Sequence, residues 1–164
     1  MDSEVTWDES LPRIEIVDGF AVTPRLTIES KIYPGVAVRV EVVFDPILER
    51  LTVESIRAEA MPGEEVTGKV LRAIRVQDFV REAVDHMLYR RLPNGAWESL
   101  VGLDSYFVDD DLPVQDRELV AAKAYAMAKL LNIPPLKSVG ELLGVSQSTA
   151  TRLVAKARAN GKLV

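Results

Sequence analysis

Apolar and polar positions alternate most clearly along residues 36–44, where every second side chain is apolar. The apolar positions are Val36, Val38, Val40, Val42 and Phe44. A period of two is typical of a β-strand with one buried face. Asp45-Pro46 begins a turn. Leu51, Val53 and Ile56 then continue the alternation with one slip, as a β-bulge produces. The pattern predicts an antiparallel hairpin.

The spacing of apolar residues changes to that of a helix after this hairpin. Thr67 can cap a short helix that extends through Ile74. A longer apolar stripe at helical spacing follows, formed by Val76, Phe79, Val80, Ala83, Val84, Met87 and Leu88. Because an amphipathic helix buries its apolar face, we expect this helix to cover the sheet in a small α+β unit.

The remaining segments carry weaker patterns. Residues 1–11 are predicted to be a mobile or loosely docked arm, and residues 14–16 and 21–28 short extended pieces. Residues 90–114 have the composition of a loop and include Pro93-Asn-Gly. We therefore predict an α+β domain over 1–92 that serves dimerisation or a partner, a linker over 93–115, and a helical domain over 116–164.

The third predicted part is a group of three helices. A helix over about 116–131 is ended by Pro134-Pro135. Ser138 and Glu141 have the spacing of a capping box, so a second helix is predicted to begin at Ser138 and to end at Gly144. Ser146 caps the third. The positions expected to be buried between the last two are Val139, Leu143, Val145, Ala150 and Leu153. Gly140 leaves room for their approach.

The run from Val139 to Leu153, VGELLGVSQSTATRL, resembles the helix-turn-helix consensus of bacterial and phage DNA-binding proteins. The ending from Ala157 to Val164 is similar to the close of the recognition helix in winged regulators, although no wing hairpin is expected here. Gly140 stands where the consensus usually has Ala. The resemblance covers about 116–164 and implies double-stranded DNA as the partner.

The outward positions of the third helix, predicted over 147–160, have the chemistry that DNA recognition needs. Arg reads guanine, Gln reads adenine, and Ser or Thr reads either, most effectively from the first turns of the helix. The predicted base-reading residues are Gln147, Ser148, Thr151 and Arg152. Residues that suit phosphate contacts are Lys137, Ser146, Lys156, Arg158 and Lys162.

Charge supports the same division of the chain. Residues 117–164 contain eight Lys or Arg and two acids, a net charge of +6, whereas residues 1–116 have a net charge of −11. Only the basic part gains from releasing the counterions of a phosphate backbone. The acidic part favours another role, such as self-association or binding a protein partner.

Composition excludes several other classes of protein. With 164 residues, 48% of them hydrophobic, the chain can bury a core. It contains no Cys, so a disulfide framework and a thiolate metal site are both excluded. The acidic N-terminus is unlike a signal peptide, and no apolar run is long enough to span a bilayer. We expect a cytoplasmic protein with neither membrane partner nor cofactor.

Three features suggest catalysis or metal binding but have simpler explanations. The run from Gly63 to Lys69 has the spacing of a phosphate-binding loop, but Val70 lacks the required hydroxyl. Asp109 to Asp111 diverge as successive carboxylates and are expected in a solvated loop. His86 is the single histidine and is expected on a helix, partly exposed. We predict no catalytic residues, no metal site and no enzymatic activity.

Two classes of function remain open. The first is a sequence-specific DNA-binding protein, most simply a transcriptional regulator that binds as a homodimer. The second is a non-catalytic module for protein interaction, or for DNA partition, recombination or packaging, that uses the same helices.

Overall fold

Two antiparallel sheets and five helices form residues 3–100 and 116–163, the part of the chain described by this computed structural model. The strands are β1 (Ser3–Thr6), β2 (Ile14–Val17), β3 (Phe20–Val22), β4 (Arg25–Tyr33), β5 (Val36–Asp45), β6 (Arg50–Ala60), β7 (Leu88–Arg91) and β8 (Trp97–Ser99). The helices are α1 (Gly68–Ala73), α2 (Val76–Met87), α3 (Arg117–Leu130), α4 (Pro135–Leu143) and α5 (Gln147–Ala159). The predicted α+β class is confirmed.

The predicted hairpin is formed by β5 and β6 in a sheet with the strand order β1-β4-β5-β6. All five apolar positions of β5 are buried, as the alternation predicts. The register shifts between Glu41, opposite Ser55, and Val42, opposite Val53, so Glu54 is the extra residue of the predicted bulge. Asp45 begins the turn, and its carboxylate accepts hydrogen bonds from the next amides.

Helix α2 covers this sheet, because its apolar stripe packs against β4, β5 and β6. The buried residues of the stripe are Phe79, Val80, Ala83, Val84 and Met87. Thr67 caps α1 as predicted, since its hydroxyl accepts a hydrogen bond from the Val70 amide. His86 is partly exposed on α2. The helix ends one residue earlier than predicted, because Leu88 begins β7, and Val76 at its start is 44% exposed rather than part of the buried stripe.

Two segments have more structure than predicted. The expected arm contains β1, which pairs with β4 and places Val5 opposite Ile28. The expected loop over 90–114 contains the end of β7 and the whole of β8, which are joined across a turn at Gly95 and by the ion pair of Arg90 with Glu98 at 2.7 Å. These strands are too short to show a period in the sequence, and they depend on partner strands for their backbone hydrogen bonds. Strands β7 and β8 complete a second sheet, in the order β2-β3-β7-β8.

Helix α3 is buried on most of its surface. Asp116 caps it by accepting from the Leu119 amide, and it ends at Leu130, with Leu131 as the C-cap and Asn132 in the left-handed region at φ 56°. These bounds agree with the helix predicted over about 116–131. Its buried residues are Ala121, Ala122, Lys123, Ala124, Ala126, Met127, Ala128 and Leu130. Small side chains allow α4, α5 and β2 to approach it closely.

Specific contacts join these helices to the sheets. Leu163 forms an antiparallel bridge with Val17, and the Lys162 carbonyl accepts from the Asp18 amide at 3.0 Å. Lys129 Nζ lies 2.6 Å from Glu49 Oε2. The division into domains over 1–92 and 116–164 with a linker over 93–115 stays a prediction. Residues 101–115, including Asp109 to Asp111, lie outside the described residues.

Within the described ranges, every helix is too short or too polar to cross a membrane.

The close packing of α3 predicts that enlarging one of its alanines destabilises the fold. Ala121 is fully buried, so Ala121→Leu should lower the free energy of unfolding by about 1 to 3 kcal/mol through overpacking. Urea unfolding followed by circular dichroism measures the change. The matched control is Ala155→Leu at an exposed position of α5, expected within about 0.5 kcal/mol of the parent. Equal stability of both variants would contradict this packing.

Candidate nucleic-acid interface

Helix α4 begins one turn earlier than the sequence pattern predicted. Pro135 occupies its first position, where the missing N–H and the restricted φ of proline are favourable. Ser138 lies inside the helix, and its hydroxyl donates to the Pro134 carbonyl at 3.1 Å. The predicted capping box between Ser138 and Glu141 is therefore wrong. Glu141 pairs instead with Lys137, across one helical turn at 3.7 Å.

The connection between α4 and α5 is the three residues Gly144, Val145 and Ser146. Gly144 has φ 62°, the left-handed conformation that favours glycine, and the Val145 amide donates to the Gly140 carbonyl at 2.9 Å. A Cβ on Gly140 would lie 3.1 Å from the Val145 carbonyl oxygen. The missing side chain of Gly140 thus leaves room, as predicted. That room is occupied by the turn at Val145 and not by helix α5.

Ser146 is the N-cap of α5, as predicted, because its hydroxyl accepts a hydrogen bond from the Thr149 amide at 3.3 Å. The buried face of α5 consists of Ala150, Val154 and Ala157. Since small or β-branched apolar side chains occupy that face, the helix packs closely on α3 and α4. The direction of α5 is thereby set by apolar contacts, and its polar face is left outward.

The four predicted base-reading residues are all exposed and share one face of the first two turns of α5. They are Gln147, Ser148, Thr151 and Arg152. Thr151 donates its hydroxyl proton to the Gln147 carbonyl at 2.9 Å, which leaves its oxygen lone pairs available as acceptors. Arg152 forms no ion pair within the described part of the chain. This face therefore presents donors and acceptors without a carboxylate of its own helix.

The predicted phosphate-binding residues do not form one free cationic surface. Lys156 Nζ lies 2.5 Å from Glu118 of α3, and 64% of the Lys156 side chain is exposed. Lys162 pairs with Asp116 and keeps only 25% of its side chain exposed. The Arg158 guanidinium lies 5.1 Å from the centroid of the Tyr125 ring. Lys137 stays 71% exposed beside Glu141.

Two carboxylates at the start of α3, those of Asp116 and Glu118, pair with residues of α5 and of the segment that follows it. The hydrogen bond from Lys162, together with the one from the Leu119 amide, lowers the pKa of Asp116. Hydrogen bonds from Lys156 and Asn160 lower the pKa of Glu118. Because both values are lowered by folding, this stabilisation is present at neutral pH. It is lost as the pH falls through the lowered pKa values.

The local charges therefore differ from the simple sum for residues 117–164. Lys123 is buried with Nζ 4.0 Å from the centroid of the Phe20 ring, and Lys129 pairs with Glu49 of the acidic part. Among the described residues, Arg152 and Arg158 have no carboxylate partner, whereas Lys137 and Lys156 stay exposed beside Glu141 and Glu118. No sequence signal placed Glu118 against Lys156, because the two residues are far apart in the chain.

Comparison with models of known protein families, with curated proteins and with solved structures gave no match. The function is therefore inferred from the residues and the geometry of α3, α4 and α5.

The N-cap of α5 should contribute measurably to stability. Ser146→Ala removes the acceptor of the Thr149 amide and should lower the free energy of unfolding by about 1 kcal/mol. Ser146→Asn keeps an acceptor and should stay close to the parent. Urea titrations of the three proteins give the comparison, and equal losses in both variants would contradict the capping role.

Proposed function

We propose that this chain is a sequence-specific double-stranded DNA-binding protein, most simply a transcriptional regulator, with a helix-turn-helix formed by α4 and α5. The observation that carries the proposal is the exposed polar face of α5, which follows the tight Gly144 to Ser146 turn. Helix-turn-helix proteins place such a helix in the major groove, with its first residues at the base edges.

The side chains of this face suit direct reading of bases. The Arg152 guanidinium can donate two hydrogen bonds to guanine, and the Gln147 amide can donate to and accept from adenine. The Ser148 hydroxyl can serve as a donor or as an acceptor, and Thr151, whose proton is donated to the Gln147 carbonyl, adds an acceptor. Together they supply polar contacts over two helical turns without burying an unpaired charge.

Phosphate contacts would surround this face. The first amides of α5, next to Ser146, are donors at the positive end of a helix dipole, which favours a phosphate group. Lys137, Lys156 and Arg158 can add charge from either side. A phosphate near Lys162 would have to displace Asp116, so its contribution is expected to be smaller.

A single unit with so few free cations would bind weakly at physiological salt, which favours a homodimer on two half-sites. The acidic N-terminal part would then provide the dimer contact or bind a protein partner. In this proposal the protein is a non-enzymatic cytoplasmic factor, and its DNA affinity depends on the pairing of two copies.

A protein-interaction module is the second candidate, favoured by two exposed apolar side chains beside the same helices. Leu142 on α4 is 50% exposed, and Ile133 before α4 is 40% exposed. A partner that covers these residues could dock on the three-helix unit without contacting DNA.

Selection of duplexes from a random library by the full-length protein, with mass measured by light scattering, separates the candidates. Enrichment of an inverted repeat together with a dimeric mass is the expected result. A folded protein that enriches no sequence would overturn the proposal and favour the interaction module.

Arg152→Ala tests base reading on the enriched duplex. The variant should lose about 1 to 3 kcal/mol of binding free energy and should relax the preference at one base pair. Fluorescence anisotropy with the enriched duplex and its single-base variants measures both effects. Arg57→Ala, at an exposed position of β6, is the matched control and should leave binding unchanged. An equal loss on all duplexes would identify Arg152 as a phosphate contact.

Glu118→Gln tests whether α3 restrains the cations of α5. Removing the charge beside Lys156 should tighten DNA binding and steepen its salt dependence, by up to about 0.9 in log–log slope for one further phosphate contact. Glutamine keeps an acceptor for Asn160. Glu59→Gln on β6 is the control for a change of net charge alone. If both variants behave alike, Lys156 does not lie at the DNA backbone.

A further inference from the structure

A cavity of about 160 Å³ lies between the sheets and α3. Its walls come from β2, the end of β5 with the turn that follows, one side of α3, and Leu163 after α5. The cavity therefore adjoins both the N-terminal sheets and the helices of the proposed DNA-reading unit.

The walls combine buried apolar side chains with a few polar groups. Ile16, Phe44 and Leu130 are each less than a tenth exposed. The charged wall residues are Glu15, Glu49 and Lys129. Such a lining, mostly apolar with a small number of placed polar groups, is typical of small-molecule sites.

The polar wall groups are held in position by specific contacts. Glu15 accepts from the Gly19 amide at 3.1 Å and pairs with Arg91 at 2.7 Å. Glu49 has φ 52°, an unfavourable backbone conformation for a residue with a side chain, and pairs with Lys129 at 2.6 Å. Each of the two carboxylates thus has a cationic partner, so the ion pairs leave no excess charge at the wall.

We propose that this cavity binds a compact apolar molecule that carries a hydrogen-bond donor. An apolar cavity of about 150 Å³ accommodates benzene, so the ligand would have roughly six to ten non-hydrogen atoms. An ion-paired carboxylate can still accept a further hydrogen bond but leaves no free counter-charge for a charged ligand, which favours a neutral donor, such as a phenol or an indole N–H, over a carboxylate of the same size.

The ligand would regulate DNA binding, a consequence that rests on the proposed function. Tyr125 lines the cavity, and its hydroxyl accepts a hydrogen bond from Arg158 of α5 at 3.4 Å. Leu163, another wall residue, bridges to Val17 of β2. Because both contacts hold the C-terminal end of α5, a ligand that moves either residue changes the position of the reading helix.

Binding is tested first on the full-length protein without DNA, by titrating ¹⁵N-labelled chain with phenol, indole and benzoate. Saturable amide shifts that centre on the cavity wall are expected with phenol and indole and not with benzoate. Absence of such shifts with both donors would overturn the site. Equal binding of benzoate would overturn the proposed ligand class.

Filling the cavity provides the matched variant. Ala126 lines the cavity, and a leucine there would occupy its space. Ala126→Leu should therefore lower the affinity for the probe at least about tenfold while the melting temperature is maintained. Ala126→Val, which adds less volume, serves if the leucine variant does not fold. Ala155→Leu on the exposed side of α5 should bind the probe as the parent does. Unchanged affinity in a folded Ala126 variant would place the probe elsewhere.

Regulation is tested by measuring affinity for the selected duplex with and without saturating probe. A change of at least about threefold in Kd, absent in Ala126→Leu, is expected. An unchanged Kd would overturn regulation and leave the binding site standing. Probe binding by a protein that enriches no DNA sequence would overturn the proposed function alone.

Discussion

The close packing of α3 is the constraint on which the other contacts depend. Alanines on several sides of this helix allow α4, α5 and β2 to approach, and the fully buried Ala121 leaves no room for a larger side chain. The same helix supplies Lys123 to the ring of Phe20 and Lys129 to Glu49. The orientation of α5 therefore follows from the volume of side chains on a helix that, in our proposal, does not enter the groove.

Electrostatics within the three-helix unit oppose part of the proposed function. Glu118 forms an ion pair with Lys156, and Asp116 forms one with Lys162. Two cations that a phosphate backbone would otherwise attract are therefore already paired in the folded protein. Arg152 has no such partner among the described residues. We infer that the carboxylates at the start of α3 lower the affinity for DNA, whereas the base-reading residues in the first turns of α5 remain available. Such an arrangement would favour paired half-sites over a single tight contact.

Elements with strong local signals could be predicted from the sequence. The alternation of β5, the caps at Thr67 and Ser146, and the left-handed Gly144 depend on neighbours in the chain, and all are confirmed. The prediction that Ser138 caps α4 is wrong because the helix begins three residues earlier, at Pro135. Strands β1 and β7 were missed because they are stabilised by the distant strands β4 and β3, and β8, which pairs with β7 across the Gly95 turn, is too short to show a period of its own.

The sequence by itself determined which residues form the outward face of α5, because helical periodicity separates Gln147, Ser148, Thr151 and Arg152 from the apolar positions. Only the tertiary structure decided which charges on and around that face are paired, and where a cavity lies between the sheets and α3. The physical reason is that ion pairs and cavities join residues remote in sequence. Their distances depend on how α3 packs against the sheets and against α5, and not on spacing along the chain.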